Sequence, residues 1–169
     1  MRQTRWHMQT LRQGTATTLL VGVCLAVLLL CPPLYAADPP SPASCAPTKP
    51  DALGPFYTPD APLRAKVGEG YLLQGVVRST SNCQPLTGAM VEFWLTGPDG
   101  EYGDAYRARV VVEETGRYTF ESNRPVPYAG RPAHIHIRVT AAGHRTLVTQ
   151  HYPLSGQHQA TFDLVLRPQ

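Results

Sequence analysis

The part of this sequence that follows residue 37 has no surplus charge of either sign. Arg2, Arg5 and Arg12 account for the whole formal charge of +3, and all 12 acidic residues lie after them. A protein that binds nucleic acid presents a basic patch to the phosphates, and no basic run occurs after residue 37. We therefore expect a protein that does not bind nucleic acid.

Long hydrophobic runs are also missing, apart from one block over Thr17–Leu30. Its apolar core is about a dozen residues, which is shorter than the roughly 20 that a membrane-spanning helix needs. A basic start precedes the block and the small residues Ala36 and Ala37 follow it, as in a secretory signal peptide. We expect a signal peptide over residues 1–37, cleaved near Ala36/Ala37, and an exported protein, periplasmic or secreted, without stable membrane insertion. The alternative is an uncleaved N-terminal anchor.

Cysteine is scarce after the predicted cleavage point, where only Cys45 and Cys83 remain. The two are isolated and lack the close spacing of sulfur ligands, which disfavours a metal site built on them. An even pair in an exported chain favours one disulfide, Cys45–Cys83.

Helical periodicity is absent over any useful length. Residues 38–53 are Pro-rich and predict an extended arm. From residue 54 onward, short alternating segments separated by Gly, Pro and Asn turns predict an all-β domain over residues 54–169, a two-sheet antiparallel β-sandwich. The expected strands cover residues 71–77, 89–94, 109–112, 117–120, 133–139, 147–152 and 160–166.

The most informative side chains are two histidines in one predicted strand. Residues two apart on a strand point to the same face, so His134 and His136 project together while Ile135 points to the opposite face. Two adjacent imidazoles suit a transition metal. The spacing alone is equally compatible with a polar outer strand face that happens to hold two histidines.

Two tyrosines in turn-rich segments bear on the choice of metal. Tyr128 lies six residues before His134, and Tyr102 follows the turn at residues 97–100. A phenolate is a hard anionic oxygen ligand that prefers Fe(III), provided that the metal lowers the phenol pKa far below about 10. Two phenolates with two imidazoles would favour ferric iron, whereas tyrosines in loops serve more commonly in packing.

These segments together resemble the intradiol ring-cleavage dioxygenases, the family of catechol 1,2-dioxygenase and protocatechuate 3,4-dioxygenase. The matching motifs occur in the order of the family, from residue 54 to about 152. They are Gly54-Pro55-Phe56-Tyr57, Val91-Glu92-Phe93-Trp94, Asp99-Gly100-Glu101-Tyr102, Gly116-Arg117-Tyr118-Thr119-Phe120, Pro127-Tyr128, Arg131-Pro132-Ala133-His134-Ile135-His136 and Thr149-Gln150-His151-Tyr152.

The resemblance implies a site and a reaction. It makes Tyr102, Tyr128, His134 and His136 the ligands of Fe(III), and Tyr128 the ligand that substrate displaces and that acts as a base. It makes Arg131 and Gln150 catalytic residues that also face the substrate. Tyr57 is expected to contribute to the substrate pocket, although packing against the arm is an equal alternative. The implied partners are a small aromatic diol and O2, and the implied product of cleavage between the hydroxyls is a muconate-type diacid.

Two other functions are compatible with parts of the sequence. An exported, non-catalytic binding module of transthyretin-like type would account for the strands and the leader. A zinc hydrolase would use His134 and His136 with a third ligand, for which His144 and His151 are candidates.

Catechol-cleaving members of the family carry a helical N-terminal region used in dimerisation, whereas this sequence has a Pro-rich arm in that place. The chain thus looks like a small exported branch, and a homo-oligomer is compatible with it.

Overall fold

The structure is a computed structural model that describes residues 45–169. The predicted signal peptide at residues 1–37 and the first part of the arm, residues 38–44, lie outside the described residues. Among the residues described, no helix is long and apolar enough to cross a membrane.

The described residues contain eight strands and one short helical element, a 3₁₀ turn at Asp104–Tyr106. The strands are β1 (Tyr71–Ser79), β2 (Met90–Leu95), β3 (Arg107–Val111), β4 (Arg117–Ser122), β5 (Ile135–Thr140), β6 (Leu147–His151), β7 (Gln159–Thr161) and β8 (Leu164–Leu166).

The strands form two sheets, which confirms the predicted β-sandwich. One sheet has the order β3-β2-β5-β6 and is antiparallel throughout. In the other, β1 pairs with β4 on one side and with both β7 and β8 on the other. The pairings of β1 with β7 and β8 are parallel, an exception to the antiparallel arrangement expected from the sequence.

The alternation along β2 and β5 explains how the core forms. Phe93 and Ile137 pair with each other on the inner face and are fully buried, as are their neighbours two residues away. Phe93 also stacks on Phe120 of the opposite sheet, with ring centroids 4.2 Å apart. Burial of a side chain of this size stabilises the fold by roughly 1.5–3 kcal/mol.

The last predicted strand, residues 160–166, is divided into β7 and β8. At the division, the Asp163 Oδ1 atom accepts a hydrogen bond from the Val76 amide at 2.9 Å, where a continuous strand would offer a backbone carbonyl. The chain passes close to Gly75 here, and a Cβ atom at that position would lie 2.3 Å from the Phe162 carbonyl oxygen. The side chain of Asp163 thus replaces one step of the backbone ladder.

The arm is part of the sandwich and covers one of its open edges. The Thr48 amide donates to the Val165 carbonyl at 3.1 Å, and the Asp51 amide donates to the Val148 carbonyl at 2.9 Å. These bonds connect the edge strands β8 and β6, which belong to different sheets. Unpaired strand edges are prone to association with other chains, and the arm satisfies part of this edge.

A disulfide fixes the start of the described chain. Cys45 and Cys83 are bonded, with their Cα atoms 5.4 Å apart and a sequence separation of 38. Cys83 lies in the turn after β1 and has φ 59°. In the chain-entropy model a disulfide that closes a loop of this length contributes about 4 kcal/mol to stability.

A half-buried histidine on β6 is expected to make the fold sensitive to acid. The imidazole of His151 contacts the Tyr71 hydroxyl at 2.6 Å and packs against the ring of Phe162. Burial lowers the pKa of His151 from 6.5 to about 4. The unfolded chain therefore takes up a proton as pH falls from 6.5 towards 4, whereas the folded chain does not.

We predict that the free energy of unfolding falls as pH is lowered through this window, with a contribution from His151 below the one-proton limit of about 1.4 kcal/mol per pH unit. The variant His151→Gln should show a shallower pH dependence in denaturant titrations between pH 7 and pH 4. His158→Gln, which changes an exposed ring, is the control and should keep the wild-type slope. Equal slopes for His151→Gln and the wild type would contradict this assignment.

Candidate metal centre

The candidate site lies on the outer face of the sheet β3-β2-β5-β6. The register places Trp94 opposite His136, and His136 opposite Gln150, so these three side chains form one row across β2, β5 and β6. All three are buried. The row is covered by the end of the arm and the residue that follows it, where the Ala52 carbonyl accepts from Gln150 and Gly54 approaches His136.

The two histidines meet as their spacing predicted. His134 lies just before β5 and His136 lies within it, yet their Nε2 atoms are 3.1 Å apart. The His134 Nδ1 atom is 2.6 Å from the Pro132 carbonyl oxygen. Because that carbonyl can only accept, Nδ1 carries the proton and the Nε2 lone pair faces the site.

Burial keeps both imidazoles neutral at neutral pH. It lowers the pKa of His134, and it lowers the pKa of His136 to about 4, with the neighbouring His134 adding to the effect. A neutral imidazole has a free lone pair, which is the form that binds a metal ion.

Tyr102 brings a phenol oxygen to the histidines. Its hydroxyl lies 3.3 Å from the His134 Nε2 atom, and its ring stacks on Phe56 with centroids 4.3 Å apart. Burial raises the pKa of Tyr102, although Arg131 opposes this rise. The phenol is therefore protonated in the metal-free protein, and a bound cation is needed to make it a phenolate.

A tight turn places Tyr128 beside Arg131. The two residues exchange backbone hydrogen bonds of 3.2 and 2.8 Å, which leaves Ala129 and Gly130 as the two central residues. Both have positive φ, 47° and 78°, as in the type I′ turns of short hairpins. The Tyr128 ring meets the Tyr102 ring edge-on, with centroids 5.5 Å apart.

Arg131 is held by a chain of hydrogen bonds that ends in the arm. Its guanidinium donates to the Gln150 Oε1 atom at 2.7 Å and to the Tyr152 hydroxyl at 3.1 Å. The Tyr152 hydroxyl lies 2.9 Å from the Asp51 carboxylate. The same guanidinium is 3.5 Å from the His134 Nε2 atom. Arg131 thus carries a fixed positive charge to the edge of the histidine pair.

These side chains surround a cavity of about 180 Å³. Gln150 supports the wall through Arg131. Tyr57, which the sequence suggested for the pocket, packs on Trp94 and turns its hydroxyl towards Glu92. Phe56, the preceding residue, occupies the wall. The lining residues are Pro55, Phe56, Tyr102, Tyr128, Ala129, Arg131, His134 and His136.

The donor set fits a ferric ion. Two imidazole nitrogens that occupy neighbouring positions on a metal, with bonds of about 2.1 Å, stand about 3 Å apart, and the Nε2 atoms of the pair have that separation. Two phenols lie at the same cavity, and phenolate oxygens favour Fe(III). Within residues 45–169, no group of three His, Cys, Asp or Glu side chains could hold a metal ion.

The other two histidines considered for a zinc site lie elsewhere. The His144 Nε2 atom is 2.9 Å from the Ser79 hydroxyl, at the end of β1. His151 faces Tyr71 beneath the sheet. Neither joins His134 and His136, so the structure brings tyrosines, and not a third histidine, to the pair.

Several residues of the site had no assigned role in the sequence analysis. Phe56 and Trp94 lie within the matching motifs, but an aromatic residue in such a motif is equally compatible with ordinary packing. Asp51 is an isolated carboxylate in a Pro-rich segment, and no local pattern marks it as a partner of Tyr152. Their positions depend on how the arm crosses the sheet, which is a non-local contact.

Comparison with known proteins identifies the family. A family model described as Dioxygenase matches residues 54–167, which is more than half of the chain. Similar proteins include an intradiol ring-cleavage dioxygenase of Aspergillus niger, which is 26% identical over 150 residues that cover 67% of this chain and 47% of that protein. The chain belongs to the intradiol ring-cleavage dioxygenases, which confirms the resemblance found in the sequence.

Two bacterial relatives indicate the range of named substrates. The chlorocatechol 1,2-dioxygenase of Rhodococcus opacus is 40% identical over 138 residues, which cover 59% of this chain and 53% of that enzyme. The hydroxyquinol 1,2-dioxygenase of Rhodococcus opacus is 31% identical over 145 residues, which cover 66% of this chain and 48% of that enzyme. The chain spans about half the length of the curated relatives it matches.

Solved structures agree on the fold. The dioxygenase domain of a dioxygenase and carbohydrate-binding protein fusion from Streptomyces sp. SirexAA-E matches with a TM-score of 0.66 and 28% identity, covering 73% of this chain and all of that one. An intradiol ring-cleavage dioxygenase from Tetranychus urticae matches with a TM-score of 0.65 and 18% identity, covering 73% of this chain and 96% of that chain. At that identity the similarity concerns the fold alone.

The turn that carries Tyr128 and Arg131 allows a test of its geometry. Ala129 holds a left-handed conformation that costs an L residue about 1–2 kcal/mol, and a β-branched residue tolerates it worst. We predict that Ala129→Val lowers the free energy of unfolding by about 1–2 kcal/mol, whereas Ala129→Gly leaves it unchanged or raises it slightly. Chemical denaturation measures both.

The matched control is Ala142→Val, because Ala142 is an exposed turn residue outside the positive-φ set. Its stability should stay within about 0.5 kcal/mol of the wild type, as is usual for surface positions. A similar loss for both valine variants would show that the left-handed conformation of Ala129 is not the cause.

Proposed function

We propose that this protein is an Fe(III)-dependent dioxygenase that cleaves a catechol-type ring between its two hydroxyls, using O2, to give a muconate-type diacid. The observation that carries the proposal is the meeting of Tyr102, His134 and His136 at one small cavity that Tyr128 and Arg131 also line. A binding module has no need of this donor set, and a zinc hydrolase would need a different one.

The proposed ligands of the iron are Tyr102, Tyr128, His134 and His136. Ferric iron held there would act as a Lewis acid that binds the two catechol oxygens and draws electron density from the ring. The protein supplies two neutral nitrogens and two phenol oxygens at one small cavity. Phe56 and Pro55 form an apolar wall on which a flat aromatic ring can pack.

Tyr128 is the proposed base. A catechol must lose its hydroxyl protons to bind as a dianion, and the Tyr128 oxygen, in its phenolate form, would take one of them. This role suits its position on a two-residue turn, since the side chain is fixed to the scaffold only at that turn and by edge contacts with the rings of Phe56 and Tyr102.

Arg131 is proposed to stabilise negative charge that develops on the ring. Its guanidinium is already oriented by Gln150 and Tyr152, so little reorganisation is needed when charge appears. Gln150 has a supporting part, because its amide oxygen accepts from Arg131 while its amide nitrogen donates to the Ala52 carbonyl at 2.6 Å. Tyr57 packs on Trp94 outside the lining of the cavity and has no proposed contact with the substrate.

We also propose that the protein is exported from the cytosol. A disulfide persists in an oxidising compartment and is rare in the cytosol, so the Cys45–Cys83 bond is consistent with the signal peptide expected from the sequence. The periplasm or the extracellular medium is the proposed location.

The colour of the iron-loaded protein tests whether tyrosines bind the iron. Charge transfer from tyrosinate to Fe(III) absorbs visible light, so the iron-loaded protein should be red to purple. Tyr102→Phe removes one phenolate and should weaken and shift the band, while lowering ring-cleavage activity by at least tenfold, the scale of a lost ligand or its support.

The control is Tyr106→Phe, which removes a phenol hydroxyl outside the cavity and should leave the band and the activity unchanged. Absorption spectra recorded with quantified iron decide the question. An iron-loaded wild-type protein that is colourless, or a Tyr102→Phe variant with the wild-type band, would refute the assignment.

A further inference from the structure

The two histidines of the site are oriented by different means. His134 has the usual support of a metal-binding histidine, a hydrogen bond from Nδ1 to a backbone carbonyl. The Nδ1 atom of His136 is buried and has no hydrogen-bond partner among the described residues. The nearby Ala52 carbonyl accepts from Gln150 at 2.6 Å and is at most a weak, poorly aligned partner of His136. Contacts other than a hydrogen bond therefore carry most of the support of the His136 ring.

Two contacts confine that ring. The indole of Trp94 stacks on it almost parallel, with an interplanar angle of 3° and centroids 4.9 Å apart. Gly54, which has φ 75°, passes so close that a Cβ atom there would lie 2.8 Å from the His136 Cε1 atom. A side chain at position 54 would therefore displace the imidazole from its place against Trp94.

Trp94 is itself braced on the same sheet face. The ring of Tyr57 packs on it at a centroid distance of 5.1 Å, and the Tyr57 hydroxyl lies 3.3 Å from the Glu92 carboxylate. Glu92 is only 5% exposed and forms an ion pair with Arg138, which the register places directly opposite. Arg138 also lies over the Tyr57 ring at 5.6 Å, which closes the set of contacts.

Simple packing does not explain the choice of tryptophan at position 94. The buried Nε1 atom of Trp94 has no hydrogen-bond partner among the described residues, and an unsatisfied buried donor costs about 1–3 kcal/mol. A leucine or phenylalanine would bury apolar surface without that cost. What the indole adds is a broad flat face parallel to the imidazole.

We infer that Trp94 and Gly54 are positioning residues that set the orientation of His136 towards the metal, and that Glu92, Arg138 and Tyr57 hold Trp94 in place. The inference rests on the proposed function, because it gives the contacts a purpose at an iron site. Loss of support for a metal-binding histidine reduces metal affinity by about 10–100-fold, which sets the expected effect.

The first measurement needs no metal. In the metal-free protein the Trp94 ring current should shift the His136 Cε1–H proton resonance upfield of its position in an unstacked histidine. Trp94→Leu should abolish the shift, and Trp94→Phe, which keeps a smaller flat ring, should retain part of it. A wild-type spectrum without an upfield His136 resonance would overturn the stack, whether or not the protein binds iron.

The second measurement is iron affinity by competition with a chelator, together with the position of the tyrosinate absorption band. Trp94→Leu and Gly54→Ala should each bind Fe(III) at least tenfold more weakly and show a shifted band, with Trp94→Phe in between. Tyr118→Phe, which removes a buried hydrogen bond in the other sheet, serves as a control for stability and should bind iron normally.

The two measurements separate the possible failures. If the wild type binds no iron but shows the ring-current shift, the proposed function fails and the stack remains. If a folded Trp94→Leu variant binds iron with wild-type affinity and an unchanged band, the positioning role is refuted while the iron site stands. Should Trp94→Leu not fold, Gly54→Ala and Trp94→Phe decide by the same criteria.

Discussion

The site depends on the segment from Thr48 to Tyr57, which covers a polar face of one sheet. Without this segment, the row of Trp94, His136 and Gln150 would face water. With it, the imidazoles are desolvated and stay neutral, and Phe56 stacks on Tyr102. The same segment hydrogen-bonds to β6 and β8 at the edge of the sandwich, and a disulfide anchors its beginning. The segment that closes this edge of the sandwich therefore also covers the site.

The donors and their supports come from different parts of the chain. β5 and the residues before it supply the histidines, and two turns supply Tyr102 and Tyr128. The supports come from β2, from β6 and from the covering segment. A buried polar network of this kind is stabilising only when its members find partners. Most do; among residues 45–169, the Nδ1 atom of His136 and the Nε1 atom of Trp94 are the members of this network that lack a well-aligned partner.

Local patterns in the sequence predicted much of this arrangement. Alternation located the strands, because the side-chain period of a strand is fixed, and the same period brought His134 and His136 together. The division of the last strand was missed, since it depends on the Asp163 side chain bonding to a distant amide. The motif containing Tyr57 was recognised, but which of Phe56 and Tyr57 faces the cavity follows from the path of the covering segment over Trp94. No local rule determines that path.

We propose that the protein holds iron in this cavity and opens a catechol ring between its hydroxyls. The most direct measurement is the identity of the product that purified, iron-loaded protein forms from catechol in the presence of O2. We expect a cis,cis-muconate diacid, identified by mass and absorption spectrum, and none from protein stripped of iron. An aldehyde product, from a ring opened outside the two hydroxyls, would contradict it.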